Sequence, residues 1–293
     1  MNRLIENIDK QIDFNQGKNI FLDNLDEFKF TNETIQTIYE IDKLNLTSKI
    51  YLIDYVTDKT IESFYKINQY YTFSLKSKDD LKNIYFDLFE KIETKTFSID
   101  HISKGHFENL KFWLKENNLF AEKIYNSAEK ILKPVACAEY NPDLQIKILK
   151  IDIQNLQQPV LDIGCGSKGF LVNYLKELGV EVIGIDRLTS NKPYLISTDW
   201  LEYNYGEKKW GTIVSNLGFS NHFIHHNLRT DGNFVEYAKT YMKILNSLKI
   251  NGCFHYAPEL PFIEQYLDSN HFELKKHAIE NSEFKTAIVK RLS

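Results

Sequence analysis

Acidic residues flank a glycine-rich segment in the second half of the chain. Within residues 160–169, Gly164, Gly166 and Gly169 match the pattern G-x-G-x-x-G. Glycines at such a turn let the backbone bend sharply and let a ligand approach without a Cβ in the way. Asp186 lies twenty residues beyond Gly166, where a carboxylate can accept hydrogen bonds from ribose hydroxyls. This spacing predicts a site for a nucleoside-containing ligand.

Asp162 distinguishes between two ligands that the glycine spacing fits equally, NAD and S-adenosylmethionine. In dinucleotide-binding folds this strand end is usually apolar and packs inward. Here a carboxylate stands two residues before Gly164, where it can meet the cationic amino group of a methionyl moiety. An aspartate can also stand at a strand-to-loop edge simply because it favours turns. Together with the glycines and Asp186, Asp162 favours S-adenosylmethionine.

The elements that position these residues alternate between strand and helix. Such alternation predicts βαβ units and a parallel sheet with right-handed crossovers. The two last strands are close in sequence with no helix between them, which favours an antiparallel hairpin at the sheet edge. The hydrophobic pattern predicts strands over residues 160–163, 181–185, 194–197, 212–215, 253–256, 272–277 and 286–291, and helices over 169–178 and 234–248.

Residues 1–133 read as a mainly helical N-terminal domain. Apolar residues at helical spacing predict one helix through Leu81–Ile92, preceded by a capping box at residues 77–80, and another through residues 121–132. Shorter helical patterns run through residues 4–12 and 35–44, while residues 49–56 fit strand or helix. Pro134 and the Asn141-Pro142 pair mark the start of the second domain, 134–293, with a helix from Pro142 to about Ile153.

The segment from Val160 to Arg187 resembles the cofactor-binding motifs of the class I, Rossmann-like, S-adenosylmethionine-dependent methyltransferases. The resemblance is carried by the D-x-G-x-G loop of Asp162, Gly164 and Gly166, and by an acid at the end of the second strand. Residues 197–200, residues 215–218 and the terminal hairpin extend it to residues 141–293. The N-terminal region resembles no subfamily of these enzymes.

The resemblance implies a doubly wound, mostly parallel seven-stranded sheet with an antiparallel terminal hairpin. It implies that Asp162 orients the methionine part, that Asp186 holds the ribose hydroxyls, and that Asp199 accepts from the adenine amino group. Trp200 would pack on the adenine ring, Asn216 would line the methionyl end, and Tyr140 would serve as a lid residue. The implied cofactor-binding set is Tyr140, Asp162, Gly164, Cys165, Gly166, Asp186, Arg187, Asp199, Trp200 and Asn216.

A histidine-rich segment follows the fourth strand, at the edge where open α/β sheets bind ligands. We interpret His222 and His225 as candidate catalytic residues, either as a general base or as an anchor for the methyl acceptor. Polar surface or helix-capping roles remain the alternative. A metal site formed by these two with His226 and Asp231 is a weaker alternative. His255 lies within a strand, which favours a structural role, and Glu259 follows it in a proline-containing loop.

The composition limits the acceptor and the location. The net charge is −4 with scattered Lys and Arg, whereas nucleic-acid binders usually carry a basic face. Methyltransferases that act on the amino groups of nucleic-acid bases resemble each other in an Asn/Asp-Pro-Pro-aromatic run after strand four, which is absent from residues 215–218. We therefore expect a small-molecule acceptor, methylated on oxygen or nitrogen, and neither a nucleic acid nor a membrane as partner.

The remaining expectations concern location and competing functions. Three widely spaced cysteines, Cys137, Cys165 and Cys253, give no disulfide or zinc pattern, and a polar N-terminus without a membrane-length apolar run favours the cytoplasm. The N-terminal helices would form a lid, an acceptor-recognition domain or a homodimer surface. Two other functions stay open: a nicotinamide-dependent oxidoreductase, and a non-catalytic sensor or scaffold that binds S-adenosylmethionine.

Overall fold

The chain divides into two compact units, Met1–Ala136 and Cys137–Ser293. A computed structural model describes residues 1–22, 27–125, 130–135, 139–189 and 192–293, so that Cys137 lies outside the described residues. The sequence-based boundary between residues 133 and 134 falls just before this division. Of the described helices, none combines the length and the apolar composition that crossing a membrane requires.

Helices are the regular elements of the described residues of the first unit, which also contain isolated β-bridges. Three of its helices begin at a serine or asparagine whose side chain accepts a backbone N–H of the first turn: Asn45, Ser74 and Ser98. The helices are α1 (Asn2–Asn15), α2 (Asn32–Ile38), α3 (Leu46–Ile67), α4 (Leu75–Thr94), α5 (Ile99–Asn117) and α6 (Leu119–Tyr125), with a 3-10 turn at Ile41–Lys43.

Several details of this unit differ from the sequence-based expectation. The predicted capping box at residues 77–80 is wrong, because α4 already begins at Leu75 and Ser74 caps it by accepting the N–H of Ser77 at 3.1 Å. The ambiguous residues 49–56 lie inside α3. The helix predicted through residues 35–44 breaks after Ile38 and resumes as the 3-10 turn.

The helix predicted through residues 121–132 is also too long, since α6 spans Leu119–Tyr125 and residues 130–132 are not helical. Residues 126–129 lie outside the described part of the chain. Beyond them, the backbone bonds to a different segment: the N–H of Leu132 donates to Gly17 O at 2.7 Å, and Lys130 O accepts the N–H of Asn19 at 2.8 Å. Long-range pairing therefore replaces helical bonds that the local spacing favours.

The second unit alternates strand and helix as the hydrophobic pattern predicts. The predicted element types are confirmed from residue 160 onward, with boundaries shifted by one or two residues except in the fifth strand, which begins five residues earlier. The strands are β1 (Val160–Ile163), β2 (Val182–Asp186), β3 (Leu195–Ser197), β4 (Trp210–Asn216), β5 (Leu248–Ala257), β6 (Phe272–Ala278) and β7 (Lys285–Arg291). The helices are α7 (Pro142–Leu149), α8 (Phe170–Glu177), α9 (Phe219–Asn227), α10 (Phe234–Ser247) and α11 (Pro261–Glu264).

These strands form a seven-stranded sheet among the described residues, in the order β3-β2-β1-β4-β5-β7-β6. The first five strands of that order are parallel, and β7 pairs antiparallel with both β5 and β6. This order, with its reversed last strand, confirms the fold class expected for a class I, Rossmann-like methyltransferase. The sheet is buried between helices, so that all four residues of β1 are buried.

Two local features of this unit were not predicted. The helix from Pro142 ends at Leu149 rather than near Ile153, because Lys150 adopts a left-handed conformation (φ 55°) and its N–H bonds to Ile146 O. The histidine-rich segment after β4 is the helix α9, a segment for which the sequence analysis predicted no element. Its burial pattern places Phe219, His222, Phe223 and His226 on the inner face.

Candidate functional site

The candidate site lies at the carboxyl ends of β1, β2 and β4, where an open parallel sheet binds its ligands. Asp162 stands in β1 next to Gly184 of β2 and Val214 of β4. Asp186 and Asn216 are the last residues of β2 and β4. The sheet register therefore brings together three side chains that are far apart in sequence.

Asp162 is buried and lacks a hydrogen-bond partner within the described part of the chain. Only 2% of the residue is exposed, and its Oδ2 atom contacts no donor among the described residues. Burial, followed by the nearby negative charge of Asp186, raises the pKa of Asp162 to about 7. A buried carboxylate without a partner is costly for the fold, and a cation or a hydrogen-bond donor at this position would reduce that cost.

Two glycines of the loop adopt backbone conformations that other residues take with difficulty. Gly164 and Gly166 have φ values of 76° and 78°. A Cβ on Gly164 would lie 3.3 Å from the Trp200 ring, and one on Gly166 would lie 3.4 Å from the Glu139 side chain. The glycines thus serve both the turn and the close approach of neighbouring groups, as the motif predicts.

Asp186 closes the loop from the side of β2. Its Oδ2 accepts the N–H of Gly166 at 3.2 Å and its Oδ1 accepts the N–H of Leu188 at 2.8 Å. Burial raises the pKa of Asp186, while these two backbone donors and Arg187 lower it. A carboxylate has about four acceptor positions, so Asp186 has about two beyond these bonds.

Glu139 is a part of this site that the sequence analysis missed. Its Oε1 accepts the backbone N–H of Ser167 at 2.8 Å and the Ser167 hydroxyl at 2.5 Å. It therefore adds a third carboxylate beside the glycine loop, next to Asp162 and Asp186. Tyr140 follows it and is half-buried, with its carbonyl accepting from the Gln145 side chain at 2.8 Å.

The predicted adenine residues form one cluster behind the loop. Arg187 Nη1 lies 3.9 Å from Asp199 Oδ2, and its guanidinium carbon lies 5.4 Å from the centre of the Trp200 ring. Asp199 Oδ1 accepts the N–H of Leu201 at 2.9 Å. Trp200 is only 4% exposed, and its Nε1 has no partner among the described residues.

The segment after β4 carries further unpaired polar atoms and an unusual backbone. Both amide atoms of Asn216 and the hydroxyl of Ser220 are buried without partners within the described chain. Leu217 has a φ of 59°, a left-handed conformation that costs a branched residue about 1–2 kcal/mol. Strained residues of this kind concentrate at ligand sites. Gly218 then packs against Gly164, whose Cβ position would lie 3.6 Å from the Gly218 Cα.

Cys165 belongs to the glycine loop, but its thiol is buried and unreactive. It is 8% exposed, and a Cβ on Gly184 would lie 2.8 Å from its Sγ. Burial raises the pKa of the Cys165 thiol, and the charges of Asp162 and Asp186 raise it further. The thiol therefore stays protonated and acts as a small apolar group.

The candidate catalytic histidines have different surroundings. His222 is 1% exposed, lies edge-on to Trp200 with ring centres 4.8 Å apart, and has its Nδ1 at 3.4 Å from the Tyr237 hydroxyl. Burial lowers the pKa of His222 well below its usual value, and Arg187 lowers it further. His225 is half-buried, and burial lowers its pKa as well. Both rings are therefore neutral near pH 7.

His226 and His255 have structural partners. The Nδ1 of His226 accepts the N–H of Asn233 at 3.1 Å, and its ring stacks on Tyr237. The Nδ1 of His255 donates to Leu149 O at 2.9 Å. The Glu259 side chain accepts the N–H of Lys285, which joins the loop after β5 to the start of β7.

Within the part of the chain that the structure describes, no group of three His, Cys, Asp or Glu side chains could hold a metal ion. His222, His225, His226 and Asp231 therefore do not converge as ligands, although they share one segment. Asp231 instead forms an ion pair with the Arg229 guanidinium, at 2.9 Å.

A scan of protein-family models and a search of curated proteins give no match to this chain. Among solved structures, the chain is similar to a candidate methyltransferase from Streptococcus mutans in complex with S-adenosylhomocysteine (17% identity, 53% of this chain and 100% of the other, TM-score 0.35). It is also similar to an rRNA methylase from Streptococcus thermophilus (16%, 54% and 100%, TM-score 0.35).

A third similar structure is the 1,6-didemethyltoxoflavin N1-methyltransferase of Burkholderia thailandensis, with its substrate and S-adenosylhomocysteine bound (16%, 46% and 71%, TM-score 0.30). At TM-scores this low, the similarities assign no substrate, activity or cofactor to this chain.

Proposed function

We propose that the chain is a methyltransferase whose second unit binds S-adenosylmethionine at the carboxyl ends of β1, β2 and β4. The observation that carries this proposal is the buried, unpaired carboxylate of Asp162 beside the glycine loop. S-adenosylmethionine carries a sulfonium and an ammonium group against one carboxylate, so it is a net cation. A bound cation would give Asp162 the partner that it lacks and would reduce its repulsion with Asp186.

The same charges disfavour the nicotinamide alternative. A dinucleotide would place its pyrophosphate at the glycine loop, where Glu139, Asp162 and Asp186 contribute three carboxylates. Like charges at such short range repel, and burial strengthens the repulsion. The antiparallel β7 between β5 and β6 also differs from the strand order 3-2-1-4-5-6 of classic dinucleotide-binding sheets.

Each predicted cofactor residue has a role that its position supports. Asp162 would bind the ammonium group, Gly164 and Gly166 would leave room for the methionyl chain, and Asp186 would bind the ribose with its two remaining acceptor positions. When bound, the cofactor supplies a methyl group already activated on a positively charged sulfur. Arg187 would keep Asp199 oriented for the adenine amino group.

The remaining members of the set lie around the same loop. Trp200 would form the wall beside the adenine, since its ring lies against Gly164. Asn216 would line the methionyl end, because neither polar atom of its buried amide has a hydrogen-bond partner among the described residues. Tyr140 would lie over the cofactor as a lid, next to Glu139, which already contacts Ser167. The protein then accelerates transfer mainly by alignment of the acceptor with the methyl group.

For the acceptor, we propose a small molecule. The net charge of −4 and the carboxylates around the loop oppose an RNA or DNA backbone, whose phosphates supply most of the affinity in nucleic-acid binding. His225 fits a general base better than His222, because it is half-buried while His222 lies in the aromatic core. A reducing cytoplasm remains our expectation for the location.

Calorimetric titration of the full chain with S-adenosylmethionine, S-adenosylhomocysteine and NAD tests the cofactor. We expect saturable binding of the first two and none of NAD. Asp162→Ala should abolish binding, while Glu177→Gln, an exposed change on α8, should leave it intact. Binding of NAD alone would refute the proposal.

Transfer of a labelled methyl group into a fractionated cell extract tests the enzyme and the acceptor. We expect label in the small-molecule fraction, insensitive to nuclease, and at least a hundredfold loss of transfer for His225→Ala, which removes the proposed base. His277→Ala, on an exposed residue of β6, is the control. Label in RNA would overturn the small-molecule acceptor, and strong binding with no labelled fraction would favour the sensor alternative.

A further inference from the structure

The helices of the first unit surround a cavity that has no role in the cofactor site. Its walls come from α1 through α5 and from the segments between them. The space open to water-sized molecules amounts to about 170 Å³. Apolar side chains from all five helices line it, among them Ile8, Ile38, Val56, Leu88, Phe107 and Leu110.

The size of the cavity indicates the size of its occupant. One water needs roughly 10–15 Å³ of such space, so the cavity holds the equivalent of about a dozen waters. Protein interiors pack as densely as organic crystals, and voids larger than a water molecule are few. A space of this size within a unit of 136 residues therefore fits an organic molecule of about a dozen non-hydrogen atoms.

A histidine stands among the apolar residues of this wall. His106 lines the cavity, is 7% exposed, and its Nδ1 has no hydrogen bond within the described residues. Aromatic rings surround it, with centres 5.1 Å away at Tyr85, 5.3 Å at Phe107 and 6.2 Å at Phe30. A buried ring nitrogen in such surroundings requires a donor or an acceptor.

Two pairs of polar groups in the wall bond to each other. The Thr60 and Tyr85 hydroxyls are 2.5 Å apart, and the Asn7 amide donates to the Thr37 hydroxyl at 3.1 Å. These contacts leave the two pairs satisfied without a ligand. His106 differs from them, so the polar part of an occupant would meet the wall at this ring.

The charges of the wall favour an uncharged occupant. Lys18 is the one charged residue among the described residues that line the cavity. Its Nζ already donates to Glu27 O at 2.9 Å and to Asn15 Oδ1 at 3.1 Å, and it lies 3.4 Å from the centre of the Phe14 ring. An ionised ligand group deep in the cavity would lack a counter-charge and would pay its desolvation cost.

We propose that the N-terminal unit is a binding module for an uncharged aromatic molecule of about a dozen non-hydrogen atoms, whose single hydroxyl or similar group hydrogen-bonds to His106. The aromatic character follows from the rings of Phe30, Tyr85 and Phe107 around the polar contact, since offset and edge-on ring contacts add to apolar burial. This inference is independent of the cofactor site.

The test uses two probes that differ by one hydroxyl, naphthalene and 1-naphthol, titrated into the full chain with fluorescence detection. We expect both to bind in saturable fashion, with 1-naphthol about tenfold tighter because of one net hydrogen bond. In His106→Phe, which keeps a ring but removes the nitrogen, both should bind equally. Equal preference for 1-naphthol in wild type and His106→Phe would refute the contact.

Filling variants test the cavity itself. Val56→Phe and Ile8→Phe, each placing a ring in the space, should abolish binding of both probes while the thermal midpoint stays within a few degrees of wild type. Phe112→Ala, on an exposed residue of α5, should leave binding unchanged. Absence of saturable binding to wild type, or unchanged binding to a folded filling variant, would overturn the proposal.

Discussion

Replacement of Asp162 by asparagine should make the cofactor-free protein more stable at alkaline pH and weaken its affinity for the cofactor. The side chain keeps its shape and loses its charge. In the folded chain the pKa of Asp162 is about 7, against an ordinary value of 3.8. Since one pKa unit corresponds to about 1.4 kcal/mol, the ionised form costs the fold up to roughly 4 kcal/mol at pH 8.

The sign of the pH dependence follows from proton counts. Between about pH 4 and pH 7 the folded chain holds a proton on Asp162 that the unfolded chain has released, so this group lowers stability as pH rises. The cost is near zero below pH 4, roughly 2 kcal/mol at pH 5 and roughly 4 kcal/mol above pH 7. Asp162→Asn should therefore gain more at pH 8 than at pH 5.

Urea denaturation at pH 5 and pH 8 measures this gain, and calorimetric titration at pH 8 measures the affinity. A hydrogen bond to a charged group contributes about 1.5–3 kcal/mol, so the affinity for S-adenosylmethionine should fall by roughly 10- to 100-fold. Glu177→Gln is the control for both measurements. A variant that is no more stable at pH 8, or a gain that does not depend on pH, would refute the account of Asp162 as a strained carboxylate.

Three further changes have expected outcomes. Gly166→Ala places a Cβ at a φ of 78°, which should cost about 1 kcal/mol of stability and, in calorimetry, most of the cofactor affinity. Burial lowers the pKa of His106 to about 3, so the unfolded chain takes up the proton first and this one group should cost the wild type about 3 kcal/mol of stability between pH 7.5 and 4.5. In urea denaturation over the same pH range, the free energy of unfolding of His106→Phe should fall by about 3 kcal/mol less than that of the wild type. Glu264 is 4% exposed and accepts from the Tyr256 hydroxyl at 2.7 Å, so Glu264→Ala should lower the free energy of unfolding by about 3 kcal/mol without changing cofactor affinity.

The sequence by itself determined the strands of the second unit. Its strands follow local rules, since apolar runs between turn residues form buried strands wherever the sheet is covered on both faces. The reversal of β7 follows from the short connection after β6, which is too short for a crossover. The cofactor motif was also local, because the turn before α8 needs glycines whatever surrounds it.

Only the tertiary structure shows those features that depend on contacts between segments distant in sequence. Glu139 was missed because nothing near it in sequence shows that it contacts Ser167, and the burial of His222 depends on Trp200 from another strand end. The helix predicted as far as residue 132 was wrong for the same reason, since residues 130 and 132 bond to a distant segment. The early end of α7 has a local cause, the left-handed conformation of Lys150.

The cavity around His106 is the clearest case. Each of its helices shows an ordinary apolar face, and the sequence cannot say whether those faces meet closely or leave space between them. The packing of five helices decides that, and with it whether one buried nitrogen has a partner. Spacing along a chain determines which residues face inward, whereas the distances across a core depend on the whole set of side-chain volumes and so appear only in the folded structure.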